Sequence, residues 1–170
     1  MALILLIRGR HGMCWVCEHP ESTRQERLEY LRGVLDKHNW VVIGVHEERY
    51  RPAYSYTLGL TDRELPELVI TGLPHKRAAE VLTPAAWDLL AGGTLAPGKR
   101  IRTVDGLLAE VVKVAEPGAH LDVAAELYGQ QLAALQLVYT DQRGHWPWDR
   151  RFRGGRGGQP VLGARAKQVA

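Results

Sequence analysis

From residue 23 onward apolar side chains return at helical spacing. Leu28, Leu31, Val34 and Leu35 share one stripe, which predicts a helix. Ser22 and Thr23 stand before it as N-cap candidates, and Thr23 and Glu26 have capping-box spacing. The helix should close at His38–Asn39, since asparagine tolerates the left-handed C-terminal position. The period then changes. Residues 40–45, WVVIGV, are β-branched, and 67–73, ELVITGL, form a similar run. Between them, 53–60, AYSYTLGL, alternates: Tyr54, Tyr56 and Leu58 fall on one side, Ser55, Thr57 and Gly59 on the other. Short polar connections between the three strands predict hairpins and antiparallel pairing.

Pro74 sits where a first-turn proline belongs, and 77–82 fit a short helix. Thr83–Pro84 reads as a fresh cap, opening a second helix over about 84–91 that Gly92 and Gly93 stop. A strand is expected at 101–104, another at 107–115, a helix at 119–129 and a further strand at 134–141. From Gly144 glycine and proline dominate, and an irregular tail is expected. Residues 1–12 read either as a short strand and basic turn or as sequence upstream of a start at Met13. Strands and helices mix without strict alternation, so the fold class is α+β: a mixed, mainly antiparallel sheet of about five to six strands with three to four helices packed on it. The expected organisation is an extension over 1–12, one α+β domain over 13–149, and a basic Gly/Arg-rich tail over 150–170.

Composition refines this picture in two ways. Apolar residues make up 45% of 170 positions and charged ones 24%, the profile of a soluble globular chain with a sizeable core. The net charge of +3 is uneven: residues 141–170 hold seven arginines and lysines against two aspartates, leaving the rest at −2. The body therefore has no general nucleic-acid footprint. The longest N-terminal apolar run, ALILLI at 2–7, is too short to span a bilayer and makes a poor signal sequence. No membrane association is expected, and the cytoplasm is the expected compartment.

Chemistry is sparse. Cys14 and Cys17 form a C-x-x-C pair with His19 close behind, half of a zinc site by ligand type. The redox reading lacks its setting, because the helix starts only near Thr23 rather than at the first thiol. The stretch DQRGHWPWD at 141–149 sets Asp141, His145, Trp146 and Trp148 around a stiff proline corner, where an aromatic wall with a polar anchor suits a ligand or a partner. RRFRGGRGGQP at 150–160 resembles an arginine-glycine nucleic-acid segment but is too short to repeat, and reads as a solvated tail. No phosphate-loop, dinucleotide, zinc-protease or serine-hydrolase motif is present, and Ser22 and Ser55 are the only serines.

An ordered set of pieces then stands out: HNWVVIGV at 38–45, PAYSYTLGL at 52–60, PELVITGLP at 66–74, LAPG at 95–98, LQLVYTDQRGHWPWD at 135–149 and GGQPVLG at 157–163. Together they resemble the bacterial family called domain of unknown function 4262, common in actinobacteria, whose members there tend to open with a C-W-x-C-x-x-P segment like that at 14–20. The resemblance covers about residues 13–165. It implies a fold and a core but no activity and no catalytic residues. Its recurring positions correspond to Tyr56, Thr57, Gly59, Leu60, Glu67, Asp141, Gly144, Pro147 and Trp148. Glu67, at a strand start beside Tyr56 and Thr57, either bonds across a hairpin or faces a ligand.

These readings favour a domain that binds a protein or small-molecule partner without chemistry. The candidate binding residues are Tyr56, Thr57, Glu67, Asp141, His145, Trp146 and Trp148. The rival is a metal- or thiol-dependent enzyme using Cys14 and Cys17, with a histidine brought in from His19 or His145 and zinc as the candidate cofactor. Nucleic-acid binding through the tail is the weaker alternative.

Overall fold

The computed structural model of the protein describes residues 4–7, 19, 21–104 and 106–166. Seven strands form one sheet: β1 (Ile4–Ile7), β2 (Val41–Val45), β3 (Tyr54–Leu58), β4 (Glu67–Thr71), β5 (Arg100–Arg102), β6 (Leu108–Lys113) and β7 (Ala134–Tyr139), in spatial order β1-β2-β3-β4-β7-β6-β5. Pairing is antiparallel except at β1/β2 and β4/β7. Three α-helices lie among the described residues: α1 (Arg24–His38), α2 (His75–Leu90) and α3 (Asp122–Tyr128). The α+β class and the mainly antiparallel sheet are as expected.

Local signals explain α1. The Glu26 amide donates to Thr23 Oγ1 at 3.2 Å, and the Thr23 amide donates to the Glu26 carboxylate at 2.7 Å. Asn39, at φ 63°, ends the helix and donates its N–H to the Leu35 carbonyl. Only Leu31 and Leu35 of the stripe are fully buried. They pack with Val41, Ile43, Tyr54, Tyr56, Leu58 and α3 on one face of the sheet. The alternate residues, including Val42, Leu68, Ile70, Val111 and Leu137, pack under α2 on the other. Strands β3, β4 and β7 are buried along their whole length, so both sheet faces are covered. Each fully buried aliphatic side chain there contributes about 1.5–3 kcal/mol.

Two expectations are corrected. The pair of short helices at 77–82 and 84–91 is one helix, α2, with Pro84 inside it. Proline forfeits a backbone hydrogen bond and crowds the preceding turn, at a cost of about 3 kcal/mol. The apolar face formed by Ala78, Val81, Leu82, Ala85, Ala86 and Leu89 runs through the proline and outweighs that cost. Pro84 itself is exposed. Pro84→Ala should therefore raise stability by about 1–3 kcal/mol, read as a higher denaturation midpoint; an unchanged or lower midpoint would show that the ring is not strained there.

The second correction concerns residues from 150 on, expected as a solvated basic tail. Through residue 162 they are anchored to the sheet at buried points, between which the chain is exposed. Phe152 is 1% exposed and Gln159 5%. β4 and β7 pair only over Glu67–Val69 and Ala134–Gln136. At the open side of β7 the Gln159 side chain takes the place of a strand: its Oε1 accepts from the Tyr139 amide and its Nε2 donates to the Tyr139 carbonyl, both at 2.9 Å. The Pro160 carbonyl accepts from Thr71 Oγ1 at 2.8 Å and Gln136 Nε2 at 2.7 Å. Gly72, at φ 72°, lets this segment close in, because a methyl group there would collide with the Gly158 carbonyl.

Candidate functional site

Glu67 is fully buried at the start of β4. Its Oε2 accepts from Thr57 Oγ1 at 2.6 Å. Its Oε1 accepts from the Gly59 amide at 3.0 Å, the Thr61 amide at 3.0 Å and Thr61 Oγ1 at 2.9 Å. Thr57 Oγ1 in turn accepts from the Leu68 amide. The carboxyl thus holds the β3–β4 connection from inside. Burial pushes its pKa up to about 7, against the pull of these hydrogen bonds. Tyr56 is 1% exposed in the core beneath α1 and α3, and burial raises its hydroxyl pKa well above the usual tyrosine value. The structure brings Thr57 and Glu67 into contact as the sequence pairing suggested. Neither they nor Tyr56 line the cleft described below.

Asp141 follows β7 and ties the next loop together. Its Oδ1 accepts from the amides of Arg143 at 2.9 Å and His145 at 2.8 Å. Its Oδ2 accepts from the Arg153 amide at 2.9 Å and lies 3.2 Å from His145 Nδ1. Desolvation pushes the carboxyl up, but the hydrogen bonds from Arg153, His145 and Arg143 together outweigh it and bring its pKa to about 2. Asp141 is therefore a fixed anion whose oxygens are occupied.

Trp146 and Trp148 stack on each other, with centroids 5.0 Å apart and planes 8° from parallel. Arg100 lies over Trp146 at 5.2 Å and Arg165 over Trp148 at 3.7 Å. Both guanidinium groups share Glu110 on β6, which is 2% exposed, with Arg100 Nε at 3.2 Å and Arg165 Nε at 3.0 Å from its carboxylate. The aromatic corner expected from the sequence is thus held against the β5–β6 edge by two cations, and Trp148 stays 39% exposed.

A concavity opens where β4 and β7 end. Both strands run parallel here, and β4 turns directly into α2, so the crevice lies outside the carboxyl ends of two parallel strands. It is an open cleft of about 700 Å³. Leu73, Pro74 and Leu107 give it an apolar wall, and Arg77, Arg143, Arg153 and Arg156 line it with Asp141 and Tyr139. Arg153 is locked in the left-handed region at φ 50°. Its Nη2 donates to the Gly72 carbonyl at 2.9 Å and to the Tyr139 hydroxyl. Arg77, Arg143 and Arg156 are exposed. Burial raises the Tyr139 pKa, the Arg153 and Arg77 charges pull it back, and it settles at about 12, so the hydroxyl stays protonated.

Of the sequence candidates, only Asp141 lines this cleft. The arginines were missed because two of them, Arg153 and Arg156, belong to the segment taken for a tail. The available signal was that the Gly-rich run ends in QPV, an apolar stop ahead of further arginine, rather than continuing as a repeat. Cys14 and Cys17 lie outside the described residues. His19 is exposed, and its carbonyl accepts from the Ser22 amide. No group of three or more metal-ligating side chains is found among the described residues. Ser55 is fully buried with its Oγ 2.9 Å from His75 Nδ1, and the His75 and His46 rings meet edge to face at 4.8 Å. Burial and the neighbouring His46 lower the His75 pKa. His46 Nε2 is buried with no hydrogen-bond partner among the described residues. Among the described residues no helix is long and apolar enough to cross a membrane.

No curated protein and no solved structure matches the chain. A family model does match, over residues 34–153, a span that runs from α1 through every remaining strand, the Glu67 bracket and the Asp141 loop. By that match the chain belongs to the family described as a domain of unknown function, DUF4262.

Proposed function

We propose that the protein binds a small anionic molecule, without transforming it, in the cleft at the ends of β4 and β7. The observation that carries this reading is the charge of the lining: four arginines surround one carboxylate, and the oxygens of that carboxylate are engaged by the protein. A concave site of this size with an apolar wall and a few convergent polar groups suits a metabolite. Guanidinium groups pair well with carboxylates and phosphates because their donors form a planar fork. Ser55, the serine that touches a histidine, is buried beneath α2, which favours binding over nucleophilic chemistry. A cytoplasmic setting accords with a chain of 170 residues that carries only two cysteines.

The reading is tested by calorimetry and thermal shift against a panel of small carboxylates, sulfate esters and phosphate esters. At least one class should bind and raise Tm. Arg143→Ala should weaken it tenfold or more while the unliganded Tm stays near that of the parent, because that side chain is exposed. Binding of uncharged analogues with equal affinity, or no binding by any anion, would rule the reading out.

A further inference from the structure

The rim of the cleft formed by Arg156 and Gly157, with Gly158 next along the chain, differs from the rest of its lining. Asp141, the Tyr139 hydroxyl and Arg153 Nη2 are engaged by partners within the protein. The rim is not. Among the described residues, the backbone amides of Arg156, Gly157 and Gly158 donate no hydrogen bond. Arg156 has right-handed backbone angles, φ −82° and ψ −10°, and Gly157 follows at φ 62°. A right-handed residue followed by a left-handed one turns successive N–H groups toward a common concavity, an arrangement that cradles anion oxygens. A side chain at Gly157 would meet no neighbour, so glycine eases the backbone angle there and is not required for space.

Ligand chemistry can be chosen by counting donors. A carboxylate brings two oxygens and one charge. A phosphate monoester brings three terminal oxygens and about −1.5 to −2 charge at neutral pH. Three amides of one loop supply one donor for each terminal oxygen of a phosphate monoester, and its larger charge suits a cleft lined by the exposed Arg77 and Arg143 better than the single charge of a carboxylate. We infer that Arg156–Gly158 is a phosphate subsite and that the ligand is a phosphate monoester of metabolite size, its organic part lying toward Leu73 and Leu107. This rests on the anionic cleft proposed above and specifies its occupant.

The test uses the full chain and three probes: inorganic phosphate, glycerol 3-phosphate, and a dicarboxylate of similar length. Glycerol 3-phosphate should bind most tightly and shift the amide resonances of Arg156, Gly157 and Gly158 in nitrogen–proton spectra. Gly157→Ala, which disfavours the left-handed angle, should weaken the ester tenfold or more and leave the dicarboxylate unaffected. Gly157→Asn, which tolerates that angle, should retain most of the affinity. Arg143→Ala should weaken every anion. If the dicarboxylate binds as tightly as the ester and the three amides do not move, the subsite is wrong while the anionic cleft stands. If inorganic phosphate binds and the ester does not, the ester assignment fails. If no probe or other anion binds, both readings fall. Should Gly157→Ala fail to fold, the amide shifts of the parent protein decide alone.

Discussion

Replacing Glu67 with alanine is expected to destabilise the protein by about 3–5 kcal/mol, enough to unfold a domain of ordinary stability. The change leaves a cavity in a fully buried site and strands the Gly59 and Thr61 amides that the carboxyl serves. Glu67→Gln is the informative partner. It keeps the shape and leaves an oxygen for the Gly59 and Thr61 donors, while its new amide faces the Thr57 hydroxyl, which can turn to accept. Its cost should be about 1 kcal/mol near neutral pH. The two carboxyl states also differ in stability. The pKa of Glu67 rises from 4.5 to about 7 on folding, so the native state binds the proton more tightly. This contribution is fully present below pH 4.5 and is lost as the pH rises through 7, by up to about 3 kcal/mol. Denaturation midpoints between pH 5 and 8 should fall for the parent and stay flatter for Glu67→Gln. Equal slopes in the two proteins would show that Glu67 is ionised throughout, its hydrogen bonds having overcome its burial.

Removing residues 150–170 is expected to abolish cooperative folding. The deletion takes away Phe152 and Gln159, both buried, and strips the β4-facing edge of β7 at Tyr139. Phe152→Ala alone should cost about 3–5 kcal/mol, as for any fully buried phenylalanine. A solvated tail would give the opposite result, a truncated protein with the melting temperature of the parent. Circular dichroism melts of the two variants settle the matter, and proteolysis should cut the full chain slowly between 152 and 162.

What the sequence revealed and what it hid divide along the range of the interactions. Thr23 and Glu26 stand three residues apart, and their capping box was legible because both partners lie in one turn. The alternation of Tyr54, Tyr56 and Leu58 with Ser55 and Thr57 was legible too, since both faces of β3 are buried but by different helices. Pro84 misled because a Thr-Pro pair carries a strong local signal for a helix start, and only the tertiary burial of Ala85, Ala86 and Leu89 overrides it. The run 150–160 misled for a related reason. Arginine and glycine describe disorder by composition, but Gln159 is held by Tyr139, twenty residues earlier, through bonds that leave no local trace. The cleft was hidden most completely, because Arg77, Leu107, Arg143 and Arg156 meet only through the parallel pairing of β4 with β7.

The gap between β4 and β7 bears on the order in which the fold is made. Strands β1 to β4 emerge from the ribosome first, and α2 can cover them at once. Strands β5 to β7 follow as a second antiparallel unit. The two units share a ladder of only three residue pairs. Their seam is completed by Gln159, Pro160 and Leu162, which follow every strand in sequence. A nascent chain therefore carries an open seam at the centre of its sheet until these residues appear, with unpaired groups of Tyr139 exposed to any neighbouring strand. Synthesis that pauses before residue 159 is the moment at which two such chains would pair with each other instead of with themselves.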